Sequence, residues 1–331
     1  MIISRTPFRI SFFGGGTDYP KWFEQHGGAV LGTAIDKYCY ISVRNLPPFF
    51  EHKYRIVYSK IENTIDIKDI EHPAVRAVLQ WMEIDGGLEI HHDGDLPARS
   101  GLGSSSSFTV GMINSLRALQ GLYSENKDLA RKAIHVEQNV IGEHVGSQDQ
   151  VFAAMGGLNK ITFHRDGDFS VTPIILPVQR KKMFNDHLML FFTGFSRFAS
   201  DIAKTKIDNF SKRETELKHM QSMVDDAISI LADDGKPIDD FGKLLNETWQ
   251  YKKKLSNSVS SPQIDEMYEA AMDAGALGGK ILGAGGGGFL LVFARPEHQQ
   301  AIRERLKKLV HVPFSFENEG TKIVLYRPDG L

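Results

Sequence analysis

The sequence predicts a two-domain α/β chain, and three observations carry that prediction. Strand-like and helix-like stretches alternate through the first half. Pro173, Pro177 and the basic run Arg180-Lys181-Lys182 then punctuate the chain before a helix-rich region that extends to about residue 275. The 331 residues also exceed what a single core usually serves. The expected boundary lies near 180 to 187, dividing the chain into 1–183 and 184–331.

Taken in order, Phe8 to Phe13, Tyr38 to Val43 and Tyr54 to Tyr58 are rich in β-branched and aromatic residues and read as strands. Apolar residues recur at helical spacing over 73–83, 104–120 and 127–141. Residues 158 to 176 read as a hairpin, with Asp166-Gly167 at the turn. Leu188 to Thr193 forms a strand ahead of the helix-rich region. The chain closes with a strand at 289–294, a helix at 297–310 and strands at 312–317 and 322–326.

The 39 basic and 41 acidic residues give a net charge of -2, which offers no electrostatic basis for binding nucleic acid or an anionic membrane. Small-molecule partners are expected instead. Cys39 is the single cysteine, so it has no internal disulfide partner, which fits a reducing, cytoplasmic setting. The start Met1-Ile2-Ile3-Ser4-Arg5 carries no signal of a targeting segment, and no apolar run approaches membrane-spanning length.

Chemistry concentrates first in Pro97-Ala98-Arg99-Ser100-Gly101-Leu102-Gly103-Ser104-Ser105-Ser106-Ser107, followed by Phe108, Met112, Leu116 and Leu119 at helical spacing. Glycines let backbone approach an anion, the amides of a helix start point at it, and serine hydroxyls donate to phosphate or ligate magnesium. A flexible Gly/Ser linker is the alternative. The apolar helix that begins at once argues against it.

A second constellation opens the chain. Pro7 to Phe13 runs into Gly14-Gly15-Gly16-Thr17-Asp18-Tyr19, which sets a carboxylate on a tight loop where it can accept from sugar hydroxyls; an ordinary glycine turn is the plainer reading. Arg9, flanked by apolar residues, either reaches the surface or is buried with an anionic partner. Glu137 falls on the apolar face defined by Leu129, Ala133, Val140 and Ile141. Charge there calls for a partner, and a magnesium ion held with a cradle serine would supply one. Asp149 stands in the first turn of a helix that begins after Ser147, where an ionised carboxylate is favoured by the helix dipole. Near Arg9 it would face an acceptor hydroxyl, either removing its proton or orienting it.

Three literal motif matches fail on context. Gly283-Ala284-Gly285-Gly286-Gly287-Gly288 fits a dinucleotide fingerprint, but a strand, not a helix, follows it. His164-Arg165-Asp166 spells a protein-kinase triplet inside a hairpin turn, and Asp240-Phe241-Gly242 spells another inside a helix. The cradle also lacks the Gly-Lys-Ser/Thr ending of the Walker type.

Together, Pro7 to Tyr19, Pro97 to Ser107 and Lys280 to Gly288 resemble, in order, the three motifs of the GHMP kinase superfamily. The resemblance spans the whole chain. It implies an N-terminal domain like the second domain of ribosomal protein S5, a ferredoxin-like C-terminal domain, and ATP with Mg2+ between them. It further implies that Gly101, Gly103, Ser104, Ser105 and Ser106 hold the ATP phosphates and that Ser105 and Glu137 ligate the metal. Asp149 and Arg9 become the catalytic carboxylate and its supporting cation. Gly15, Gly16, Thr17, Asp18, Gly285 and Gly286 fall to the substrate.

Where galactokinases carry Gly-Glu-His-Thr-Asp, this chain has Gly14-Gly15-Gly16-Thr17-Asp18, so the Glu and His of the galactose pocket are absent. That variant looks most like the D-glycero-D-manno-heptose 7-phosphate kinase branch. Phosphorylation of an anomeric hydroxyl is the implied reaction, with fucokinases, other hexose 1-kinases and a non-catalytic sensor of the same fold as alternatives. A phosphorylated sugar needs a second anion site, for which Arg197 and Lys160 are the candidates.

Overall fold

The computed structural model describes residues 1–98, 100–194, 207 and 209–328. Nine strands form a first sheet: β1 (Ile2–Phe13), β2 (Gly28–Asn45), β3 (Tyr54–Val57), β4 (Ile61–Thr64), β5 (Leu88–Gly94), β6 (Leu158–Phe163), β7 (Phe169–Pro173), β12 (Phe316–Glu317) and β13 (Lys322–Tyr326). Its main path runs β13-β1-β2-β5-β3-β4, antiparallel except for β3 and β5. The long β2 is the hub, pairing with β1, β5, β6 and β12. Register shifts at Pro7/Phe8 and Ser11/Phe13 bend β1 where proline offers no ladder donor. The expected hairpin closes between β6 and β7, where the Gly167 amide donates to the His164 carbonyl.

Helices of the first half are α1 (Pro20–His26), α2 (Pro73–Trp81), α3 (Ser104–Leu119), α4 (Asn126–His135), α5 (Gln148–Met155) and α6 (Val178–Asp186). The apolar face of α3 packs on β1 and β2, with α4 and α5 beside it. A second sheet, ordered β11-β8-β10-β9, joins β8 (Leu188–Phe192), β9 (Ala276–Ile281), β10 (Phe289–Ala294) and β11 (Val310–His311). It carries α7 (Glu214–Ala232), α8 (Asp239–Leu255), α9 (Pro262–Asp273) and α10 (Gln299–Arg305).

Three expectations change. The final strands β12 and β13 return to β2 and β1, so this stretch of 184–331 completes the first sheet. Of 312–317, only Phe316 and Glu317 lie in a ladder. Strand β9 escapes periodicity because Gly278 and Gly279 interrupt its apolar pattern; a Cβ on Gly278 would stand 2.0 Å from the Gly242 carbonyl oxygen of α8. One apolar core crosses between the sheets, with Phe241 of α8 edge-on to both Phe12 and Phe13.

The predicted helix 127–141 leaves α geometry after His135 and widens to a π-helix over Val136–Ile141. That shift rotates Val140 out to 40% exposure while Glu137 stays wholly buried.

Candidate active site

The start of α3 is built as the sequence suggests. Gly103, its N-cap, has φ 75° and Gly101 has φ 86°, conformations that glycine adopts without strain. First-turn amides have no intrahelical acceptors, so this end of α3 presents donors and positive dipole to the cleft. Ser107 Oγ donates to the Pro7 carbonyl at 2.8 Å and ties the helix start to β1.

Backbone approaches backbone at the rim. A Cβ on Gly101 would stand 2.6 Å from the Leu282 carbonyl oxygen, and one on Gly283 would stand 2.6 Å from the Gly101 Cα. The two glycine loops, 182 residues apart at Gly101 and Gly283, therefore seat on each other only while both lack side chains.

Arg9 is 4% exposed and donates from Nε and Nη2 to the two carboxylate oxygens of Asp149, each at 2.8 Å. Its Nη1 donates to the Gly101 carbonyl at 2.6 Å. The anionic partner expected of buried Arg9 is thus Asp149, partly exposed in the first turn of α5 at the cleft wall. A planar fork fixes the carboxylate in two directions, which a lysine could not do.

Asp18 is buried on the next wall, accepting from the Gly16 amide at 2.9 Å and from Gln148 Nε2 at 2.9 Å. Burial pushes its carboxyl above the usual range, and the Asp149 charge adds to that rise. Thr17, expected at the substrate, turns inward: its hydroxyl donates to the Gly14 and Ala29 carbonyls at 2.8 and 2.9 Å and so holds the loop shape.

Glu137 accepts on Oε2 from Ser106 Oγ at 2.9 Å and from Gln150 Nε2 at 2.5 Å. Ser106 rather than Ser105 is the hydroxyl that reaches it; Ser105 is exposed at the cleft mouth. Burial pushes the Glu137 carboxyl up to about 7, against the hydrogen bonds that oppose the rise. Among the described residues its Oε1 is buried with no hydrogen bond of good geometry, although the Thr109 hydroxyl stands close enough to oppose the rise. Among the described residues no cluster of three His, Cys, Asp or Glu side chains could hold a metal, so a cation here would rest on this one carboxylate, hydroxyls and ligand oxygens.

A cleft of about 240 Å³ is lined by Arg9, Gly15, Gly16, Asp18, Gly101, Gly103, Ser104, Ser105, Ser106 and Asp149, whereas the fully buried Glu137 and Thr17 do not line it. Sequence reasoning missed others on its walls. Lys252 donates to the Ile281 and Gly283 carbonyls and Lys280 to the Phe12 carbonyl, all at 2.7 Å, so both lysines are buried at the junction of the sheets. Lys252 was hidden in the run Lys252-Lys253-Lys254, which reads as a solvated face. Ser11, Gln148 and the loop Glu143 to Gly146 also line the cleft.

Gly283 and Ala284 reach it, whereas Gly285 and Gly286 pack on Val259: the Gly286 amide donates to its carbonyl at 2.9 Å. Lys160 pairs with Asp225 beside a separate groove, and Arg197 lies outside the described residues.

A helix start rich in glycine and serine beside an Arg-braced carboxylate in a two-sheet cleft is an arrangement compatible with phosphoryl transfer to a small molecule. The GHMP kinase N-terminal domain model matches residues 70–157 and the GHMP kinase C-terminal model matches residues 226–312. The chain is 29% identical over 338 residues to the D-glycero-alpha-D-manno-heptose 7-phosphate kinase of Campylobacter jejuni, covering 97% of this chain and 98% of that protein. It is 30% identical to the mevalonate kinase of Thermococcus gammatolerans, covering 76% of this chain and 73% of that one. In fold it is similar to a D-glycero-D-manno-heptose 1-phosphate kinase structure from Bacteroides thetaiotaomicron, with TM-score 0.72, 21% identity and coverage of 97% and 98%. The chain belongs to the GHMP kinase family. Among its described residues no helix is long and apolar enough to cross a membrane.

Proposed function

We propose that this kinase transfers the γ-phosphoryl group of ATP to the anomeric C1 hydroxyl of D-glycero-D-manno-heptose 7-phosphate, giving the 1,7-bisphosphate. The observation that carries the reading is the Arg9–Asp149 pair, held at 2.8 Å beside the α3 cradle. Likeness to the Campylobacter protein along 97% of the chain supports the choice of sugar.

The α3 amides and the hydroxyls of Ser104 and Ser105 receive the phosphates. Asp149 uses its remaining lone pairs to accept a hydrogen bond from the acceptor hydroxyl and aim it at the terminal phosphorus. Arg9 keeps that carboxylate from turning, and its guanidinium offsets charge that spreads over the transferring group.

The orphaned Glu137 Oε1, beside Ser106, fits the oxygen set magnesium prefers. Glu137 with a serine of the cradle would hold Mg2+, which when bound neutralises phosphate charge. Closure of the Gly101 and Gly283 loops on each other keeps water from the reacting atoms.

The test is ADP release with heptose 7-phosphate, unphosphorylated heptose, fucose and galactose. Preference for the phosphorylated heptose is expected. Equal rates with and without the distal phosphate would refute that substrate and favour a hexose 1-kinase.

A further inference from the structure

Among the described residues, two polar atoms in the cleft wall have no partner of their own. Ser11 is 5% exposed and Gln148 7% exposed, and Ser11 Oγ and Gln148 Oε1 are both buried without a hydrogen bond. Buried polar atoms are nearly always satisfied, so two such orphans on residues of one cleft wall mark a place where a ligand completes the set. The two side chains flank Gly15: a Cβ built there would lie 3.7 Å from Ser11 Oγ and 3.9 Å from Gln148 Nε2, the amide nitrogen that donates to Asp18. Ser11, Gly15 and Gln148 all line the cleft.

The chemistry of the orphans is specific. Gln148 Nε2 donates to Asp18 Oδ2 at 2.9 Å, which commits the amide orientation and turns Oε1 away as an acceptor. Ser11 Oγ both donates and accepts. A ligand that satisfies both presents a donor to Gln148 Oε1 and a further polar group to Ser11 Oγ, which hydroxyls supply. A carboxylate offers no donor to Gln148 Oε1 and adds negative charge beside Asp18 and Asp149.

We propose that Ser11 and Gln148, with Gln148 steadied by Asp18, form a specificity subsite that reads hydroxyls of a polyol acceptor. This rests on the kinase reading of the cleft and deepens it, since it separates sugars from acidic alcohols such as mevalonate. Ser11 and Gln148 bind and position the acceptor; Asp149 remains the group at the reacting oxygen.

The test compares the wild type with Ser11→Ala and Gln148→Met in ADP-release kinetics and calorimetric binding, using heptose 7-phosphate, fucose, galactose and mevalonate. For whichever sugar is turned over, KM and Kd should rise about 10-fold or more in each variant, with kcat and the KM for ATP within about 3-fold. Monodeoxy versions of that sugar should include one for which Ser11→Ala costs nothing further. Melting curves establish that each variant folds; should Gln148→Met fail to fold, Ser11→Ala with the deoxy series decides alone.

An unchanged sugar KM in folded Ser11→Ala, equal losses for ATP and sugar, or binding of mevalonate in preference to every sugar would overturn the proposal. Turnover of fucose rather than heptose 7-phosphate, with a raised KM in Ser11→Ala, would overturn the heptose assignment and uphold the subsite.

Discussion

Arg9 and Asp149, 140 residues apart, meet through two parallel hydrogen bonds of 2.8 Å, and the same guanidinium reaches the Gly101 carbonyl at the cradle. One side chain therefore joins strand β1, helix α5 and the loop before α3. On the role proposed for Asp149, catalysis and stability would both depend on this pair.

Asp149→Asn should lower turnover at least ~100-fold, the order for loss of an orienting or proton-accepting carboxylate. From sequence alone this variant should melt like the wild type. The pairing alters that expectation, because Asn removes the charge that balances buried Arg9, at a cost of about 1–3 kcal/mol. Steady-state kinetics with thermal denaturation checks both, and unaltered turnover would remove Asp149 from the reaction.

Arg9→Lys keeps the charge but cannot span both Asp149 oxygens and the Gly101 carbonyl. We expect kcat to fall by about 10- to 100-fold, with a smaller change in the KM for ATP. A lysine variant with wild-type kcat would show that charge, not the fork, is what matters.

Glu137→Gln should raise the magnesium concentration for half-maximal rate by about 10-fold or more, as loss of a charged oxygen ligand predicts. The readout is a magnesium titration at fixed ATP. A superimposable curve would assign Glu137 to holding Ser106 and Gln150 alone.

Gly101→Ala places a methyl group 2.6 Å from the Leu282 carbonyl on a backbone with φ 86°. The strained backbone alone costs about 1–2 kcal/mol, and the contact forces the two glycine loops apart. A lowered melting temperature and a weakened ATP affinity should appear together; loss of neither would mean the loops separate without consequence.

Asp18 gives a pH dependence. Its native carboxyl holds a proton above the ordinary value of 3.8, chiefly through burial. Below that value both folded and unfolded chains are protonated and ionisation costs nothing. As pH rises through the native pKa, the buried site opposes the charge, so its destabilisation grows and is complete above it. The stability of Asp18→Asn relative to wild type should therefore improve from pH 4 towards neutrality, measured as denaturation midpoints. A gap independent of pH would contradict this.

Local pattern made much of the site legible. Glycines and serines ahead of an apolar run announced the α3 cradle, because helix starts need caps and leave amides unpaired. Glu137 on an apolar face and Arg9 among apolar neighbours each signalled a buried charge that needs a partner. The partners themselves were less accessible: Ser106 was a neighbour of the expected Ser105, and only the geometry of the helix turn separates them.

Position along the chain could not reveal Lys252 and Lys280, which are buried because carbonyls of two distant elements converge on them. Nor could it place β12 and β13 in the first sheet, since a strand's sequence does not name its neighbour. Sequence by itself determined most of the strands and helices and the glycine–serine turn ahead of α3, as those follow from backbone preference and the spacing of apolar residues. Tertiary structure alone decided which loops touch, which charges pair and which polar atoms are left for a ligand, because burial and contact are properties of packed surfaces rather than of any one segment.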